Sequence, residues 1–406
     1  MPLIAELEPP PPRGTRPRNR RAMIQRAAGR LFARHGYSAV SMAQIAGALN
    51  VTSSSLYRHA TGKAALLKEA TEQALRPLRL AAGSAPPQGL LAELTRAAMA
   101  ERGGALLWVR EYRHLADDDR DRIEGLVGEV VEAVATALEV AHGHRPTAAR
   151  QRARAIVMLL ASVSFHDYEL PGTALEEWLE ATAERVAALP DAAVAPPSPG
   201  PDRAASGGAS DRAPEPDPAG QPDGADPRRE RLLGAATSLF AASGYAASSI
   251  DQIAAAAGVA TGTFYNYFRS KHEVLAAAFA RADSMLQAEA AWATEGAPTP
   301  VAALDRLVDQ YIEMVTVRPE LTTVVFNDTP ELEAEDRLVV DRLLDALVDR
   351  WAALVQLTAA CDPTEARVRV QGAFFSIHGL TLWPPARREP ADHSLTRRVA
   401  WAALQR

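Results

Sequence analysis

Cysteine is nearly absent. Cys361 is the one thiol in 406 residues, so no intrachain disulfide can staple the fold, and the thiol reads as a small packed hydrophobe. Long apolar runs are missing too: the best candidate, Ala155 to Val163, falls well short of the roughly 18 residues needed to span a bilayer and fits a buried helix better. The N-terminus carries prolines and arginines but no apolar signal core, which points to a cytoplasmic protein with no membrane partner. There is no metal-ligand cluster, no phosphate-cradling glycine loop and no nucleophile with a recognisable partner motif. Cys361 itself precedes Asp362-Pro363 in what reads as an interhelical turn. An enzyme is therefore not expected, nor a metal or cofactor. The formal net charge of -6 argues against a nucleic-acid binder only if charge is spread evenly, because phosphate contact depends on the local face.

What is present is a distinctive stretch from Ser249 to Leu275. Ser249 and Gln252 have the spacing of a capping box, in which the serine hydroxyl takes one orphan amide and the glutamine reaches back to another. Ile253, Ala254 and Ala257 then give a small apolar face, and Gly258 stands where the chain leaves the helix through the left-handed region. Val259 re-enters the core, and a second short helix begins near Thr261 and runs toward Tyr267. Two short helices joined by such a turn make a helix-turn-helix, whose second helix is presented to the major groove.

The pattern G-V-x-x-G-T-F-Y-x-Y-F-x-S-K, from Gly258 to Lys271, follows an upstream helix carrying Leu239, Phe240, Gly244 and Tyr245. It resembles the N-terminal head of the TetR family of bacterial one-component transcriptional regulators. The same head occurs earlier: a shift of 208 positions places Leu31-Phe32 on Leu239-Phe240, Gly36-Tyr37 on Gly244-Tyr245, Tyr57 on Tyr265 and Lys63 on Lys271, without a gap. That period is far too long for a solenoid repeat. Two complete family units fused in one polypeptide are implied.

The resemblance implies an all-α chain of two units, each a three-helix head followed by a helical ligand-binding and dimerisation bundle. The expected divisions are a Pro-rich basic arm at 1–17, a first head at 18–68, a first bundle at 69–190, a disordered linker at 191–227, a second head at 228–274 and a second bundle at 275–406. The arm brings Arg13, Arg16, Arg18, Arg20 and Arg21 into the first head; it reads either as a minor-groove contact or as a solvated tail. The linker is rich in Pro, Gly, Ala, Ser and Asp. Its composition cannot support a packed core, and a random coil of its length averages ~33 Å, enough for the two units to pair within one chain.

The heads differ in detail. Asn50 replaces the turn glycine, Thr52 is placed to cap the first recognition helix, and Ala60 stands where the second head has the anchoring Phe268, so the first head is expected to be looser or degenerate. In the second head Ala260 replaces the usual capping hydroxyl, leaving Thr261 to cap or to reach phosphate.

By resemblance, Ser41, Tyr57 and Lys63 in the first head and Ser249, Thr261, Tyr265 and Lys271 in the second hold phosphates, which fixes register without reading sequence. Ser54, Ser55 and Arg58 are the base-edge candidates of the first head; Gly262, Thr263 and Asn266 are those of the second. Arginine favours guanine and asparagine adenine, so the half-sites should be unlike. Trp108, Glu111, Tyr112, His166, His378 and Trp383 are candidates for a pocket that binds an apolar or amphipathic small-molecule effector; interhelical packing is the commoner role for such residues. The implied function is a DNA-binding transcriptional regulator, with repression the family default, whose partner is double-stranded operator DNA and which works as an intramolecular pseudo-dimer or a homodimer of tandem chains. A helical ligand-binding or interaction protein with one or both heads decayed is the alternative.

Overall fold

The computed structural model describes residues 20–58, 60–191, 226–383 and 392–405. The arm expected at 1–17 and all but the ends of the expected linker lie outside the described residues. Among the described residues every regular element is helical, with no strand, and no described helix is long and apolar enough to cross a membrane.

The first half runs α1 (Arg20–His35), α2 (Met42–Ala48), α3 (Ser53–Leu56), α4 (Lys63–Ser84), α5 (Leu90–Ala100), α6 (Ala105–Val109), α7 (Asp117–His142), α8 (Pro146–Ala161) and α9 (Ala174–Ala187). The second runs α10 (Pro227–Ser243), α11 (Ile250–Ala256), α12 (Thr261–Phe264), α13 (Lys271–Thr294), α14 (Pro300–Val317), α15 (Pro319–Asp328), α16 (Ala334–Thr358), α17 (Pro363–Thr381) and α18 (His393–Leu404).

Local chemistry sets many of the boundaries. The three aspartates Asp117, Asp118 and Asp119 occupy the first turn of α7, where the helix dipole favours negative charge. Its C-terminus leaves through Gly143 at φ 69°. Asp362 caps α17 by accepting from the amides of Thr364 and Glu365 at 2.8 and 3.0 Å, with Pro363 at the first helical position. The turn read from Cys361-Asp362-Pro363 is thus a helix start, with Cys361 half-buried and outside any disulfide.

Two helices, one from each half, are buried on nearly every side: α8 from Ala148 through Ala161 and α17 from Ala366 through Leu380. They are buried because they cross each other. A side-chain carbon at Gly379 would stand 2.8 Å from the Arg154 carbonyl oxygen, and one at Gly372 would stand 2.4 Å from the Trp178 ring. Only glycine permits so close an approach. Around this crossing α9 packs beside α18, where Arg185 Nε donates to the Ala402 carbonyl at 2.9 Å and Arg398 donates to the Pro190 carbonyl at 2.6 Å. Phe165 stacks on Phe326 and tilts against Phe375, with centroids 5.1 and 4.5 Å apart. The halves are therefore joined by a shared apolar core as well as by the chain between them. Each large side chain buried in that core contributes on the order of 1.5–3 kcal/mol.

Candidate nucleic-acid interface

In each half the first three helices close over the start of the fourth. The first head buries Ile24, Ala28, Phe32, Ile45, Leu56 and Leu66, and the second buries Leu232, Ala236, Phe240, Ile253, Phe264 and Val274 at the matching positions. Both capping boxes form. Ser41 Oγ accepts from the Gln44 amide and Ser249 Oγ from the Gln252 amide, each at 3.2 Å, while each glutamine side chain accepts from the serine amide. The turn that follows needs a left-handed residue, and Asn50 supplies it at φ 52° where Gly258 does so at 68°.

Tyr57 and Tyr265 sit just past the two recognition helices and are each 56% exposed. Lys63 and Lys271 are more deeply held. Lys63 Nζ donates to the Tyr37 and Ser38 carbonyls at 2.8 and 3.4 Å, and Lys271 Nζ to the Tyr245 and Ser248 carbonyls at 2.7 Å each. Each ammonium also lies over the tyrosine ring, at 4.1 and 4.2 Å, and burial lowers both pKa values. Each lysine thus ties the loop after the first helix to the helix that follows the reader, and one of its three N–H donors remains for an anion.

The base-edge candidates divide. Arg58, Gly262 and Asn266 are exposed. Ser54 and Ser55 are engaged locally: Ser54 Oγ shares a hydrogen bond with Thr52 Oγ1 at 3.1 Å, and Ser55 Oγ accepts from Arg20 at 3.2 Å. Thr52 caps α3 through the Ser55 amide at 3.2 Å. In the second head α12 starts at Ala260 without a side-chain cap, and Thr263 is half-buried. Thr261 does not cap it; its hydroxyl donates to Asp251 at 2.7 Å, because an acidic residue on α11 lies within reach.

The pocket candidates do not converge as a set. Trp108 and Tyr112 from the first half and His378 and Trp383 from the second line one cavity of about 250 Å³. Glu111 and His166 are not among its lining residues. Glu111 is 2% exposed and accepts from the Tyr37 amide at 2.7 Å and from Arg110 at 2.5 Å, so it braces the first head. His166 accepts from the Tyr168 amide at 3.2 Å and stacks on that ring; burial lowers its pKa to about 3 and keeps it neutral.

The second head is braced differently. Asp328, fully buried, accepts from the Tyr245 amide at 3.4 Å and pairs with Arg113 of the first half at 2.5 Å. Arg113 also donates to the Asn327 carbonyl at 3.0 Å. Nothing in the sequence singles out this pair, because its members are more than two hundred positions apart and meet only when the halves dock.

The family described as bacterial regulatory proteins, tetR family, matches twice, at residues 24–70 and 232–278. The HTH-type transcriptional regulator HbdR of Aromatoleum sp. (strain CIB) is 32% identical over 113 residues, which are 28% of this chain and 49% of that protein. The chain thus spans about half the length of that relative. The HTH-type transcriptional repressor KstR of Mycobacterium tuberculosis is 28% identical over 174 residues, 41% of this chain and 76% of that protein. Among solved structures, a TetR-family transcriptional regulator from Bordetella parapertussis aligns at 21% identity and a TM-score of 0.41, covering 44% of this chain and 95% of that one. With the family's head present twice and at the same spacing as the repeat, the chain belongs to the TetR family as two units fused in tandem.

Proposed function

We propose that this chain is a DNA-binding transcriptional regulator of the cytoplasm, a ligand-responsive repressor acting as a single-chain pseudo-dimer, its heads at 18–68 and 228–274 and its bundles at 69–190 and 275–406. The observation that carries the reading is the crossing of α8 on α17, where Gly372 and Gly379 let helices from the two halves pack in direct contact. A chain that spends its pairing surface on itself has its two heads available for the two halves of one operator. The repressor name carried by KstR supports repression.

In this mechanism Tyr57, Tyr265, Lys63 and Lys271 meet phosphates and set register. Ser41, Ser249 and Thr261 keep a place in the proposal, although their hydroxyls already serve local bonds. Arg58 then reads guanine in one half-site and Asn266 adenine in the other. An amphipathic effector releases DNA if it binds the released conformation more tightly than the DNA-bound one.

The test is selection of duplexes from a random pool by the full-length protein, together with its mass in solution. Two unlike half-sites about one helical turn apart, bound by a monomeric chain, are expected. A symmetric palindrome bound by a dimer of chains would assign the reading to two copies of one head, and no enrichment at low salt would remove the regulator reading.

A further inference from the structure

The cavity of about 250 Å³ that gathers Trp108, Tyr112, His378 and Trp383 lies between the halves of the chain, and residues of both build it. At about 30 Å³ per water molecule it has room for roughly eight, or a ligand of about ten non-hydrogen atoms. Trp108, Met158, Phe326 and Trp383 supply apolar and aromatic wall. Three lining residues each hold a buried polar atom without a hydrogen-bond partner among the described residues: Arg113 Nε, Asn327 Oδ1 and His378 Nδ1. His378 is 5% exposed and its Nε2 shares a hydrogen bond with the Tyr311 hydroxyl at 2.8 Å. Buried polar groups left unpaired are costly, and these three belong to residues that line one cavity, whose wall is part apolar and part polar; a ligand toward which those side chains turned would supply the missing bonds.

Charge decides the kind of ligand. The ionisable side chains of the lining, besides Tyr112 and the neutral His378, are Arg113, Arg120 and Glu124. Glu124 already accepts from the Tyr112 hydroxyl at 3.2 Å, and Arg120 is held by Asp117 and the Arg113 carbonyl. Arg113 has one guanidinium edge on Asp328 and Asn327 and leaves its Nε unused. An anion fits that vacancy, and a carboxylate matches the planar fork.

We propose that this inter-unit cavity binds a small amphipathic carboxylate, with its apolar body between the aromatic walls and its carboxylate on Arg113, and that the ligand acts on the second head alone. This rests on the regulator reading for its consequence but not for the binding. A carboxylate on the Nε edge of Arg113 shares the guanidinium with Asp328 on the other edge and weakens its hold on Asp328. Asp328 in turn accepts from the Tyr245 amide, and the Tyr245 carbonyl receives Lys271 at the start of α13, directly behind the recognition helix. Loosening Arg113 therefore loosens the loop that positions α12. The first head has a separate brace: its Tyr37 amide is held by Glu111, whose counter-ion Arg110 belongs to the same half.

Titration of the full chain with phenylacetate and with octanoate, followed by tryptophan fluorescence in the absence of DNA, tests the site. Both carboxylates should bind, and 2-phenylethanol, which lacks the charge, about tenfold or more weakly. Arg113→Gln should lower carboxylate affinity by about tenfold or more, whereas Asp328→Asn, which removes the carboxylate on the other edge, should raise it. Opposite signs separate a ligand site from damage to the fold, since damage lowers both. Equal binding of the alcohol, loss of affinity in both variants, or no binding of either carboxylate at millimolar concentration overturns the proposal. With DNA present, phenylacetate should weaken contact at the Asn266 half-site and leave the Arg58 half-site unchanged; equal weakening of both overturns the asymmetry. A protein that binds phenylacetate but selects no DNA keeps the site and loses the regulator, and one that selects DNA but ignores both carboxylates does the reverse.

Discussion

The two heads share a backbone plan and divide its tasks unequally. Residues 20–68 contain eight Lys and Arg and no Asp or Glu, while the matching residues 228–276 contain five against three. The first head concentrates basic residues on a chain whose total charge is negative, with Arg21 paired to Glu69 and Lys68 to Asp119 at its edge. In packing the order reverses. Phe264 and Phe268 lie 5.8 Å apart in the second head, both buried, with the Arg229 guanidinium 4.8 Å from the Phe268 ring. The first head has Leu56 and Ala60 in their places, equally buried but much smaller, with Leu49 where the second head has Ala257. Basic charge and bulk in the core of the reading helix are separate properties, and each head has more of one.

The contrast is broken most severely by Phe268→Ala. Removing a buried phenyl ring leaves a cavity and costs about 3–5 kcal/mol. Hydrogen exchange should show α11 and α12 opening in the variant while α2 and α3 keep their protection. Ala60→Phe should not repair the first head. Ala60 is only 7% exposed, so the added ring overpacks the site, at a cost of about 1–3 kcal/mol. Protection of α2 and α3 that rises in Ala60→Phe would show an unfilled space at Ala60 and a head looser than its burial indicates.

Reading of the bases sharpens the same comparison. Asn266→Ala and Arg58→Ala should each relax one half of the operator by about 1–3 kcal/mol. The salt dependence of binding should fall more with Arg58→Ala, because a cation is lost from the more basic head. Equal loss across both halves from either substitution would refute the assignment of one head to one half.

Acidification reaches the first head through His114, which stacks on Tyr37 with centroids 5.1 Å apart and also approaches Gly244 of the second head. Burial, reinforced by Arg113, Lys63 and Arg110 and opposed by Glu111, lowers its pKa to about 4. An unfolded histidine titrates near 6.5, so between those values the unfolded chain binds more protons, and stability falls as pH falls. The loss from pH 6.5 to 5.5 is about 1 kcal/mol for this group. His114→Gln should remove that share of the slope in a comparison of thermal midpoints, and an unchanged slope would show that His114 is already solvated.

Much of the heads was legible because their determinants are local. Ser249 with Gln252, and Asn50 in the turn, act within a few residues of themselves, and cap and φ follow from residue type. The helical class was legible for the same reason. That Thr261 does not cap α12 was not legible, because the carboxylate that takes its hydroxyl sits ten positions earlier on another helix. The pocket was half legible. Aromatic residues could be named, but which of them face one space depends on how α8 meets α17, and that is settled by Gly372 and Gly379, which carry no recognisable motif. Arg113 and Asp328 left no signal, since neither gains meaning until the halves are docked.

The smallest expected difference lies in the turn. Asn50 and Gly258 occupy the same left-handed well at φ 52° and 68°, yet the two residues reach it from different unfolded chains. Asn50→Gly removes the steric cost of a side-chain carbon in that region but gives the unfolded chain more freedom to lose, an entropic penalty of about 0.4–1 kcal/mol. The two terms oppose, so the unfolding free energy should change by less than about 0.5 kcal/mol. Gly258→Ala gains the same entropic term in the opposite sense, about 0.4–1 kcal/mol, and this offsets only part of its steric cost. Alanine in the left-handed region costs roughly 1–2 kcal/mol, and no neighbouring heavy atom lies within 4 Å of the added carbon to supply contact in return. The second head should therefore lose stability with alanine at its turn while the first is indifferent to glycine. If Asn50→Gly instead destabilised the first head by as much as Gly258→Ala destabilises the second, the asparagine side chain would have to be making a bond that holds the turn, and the first head would be the more specified of the two at this point.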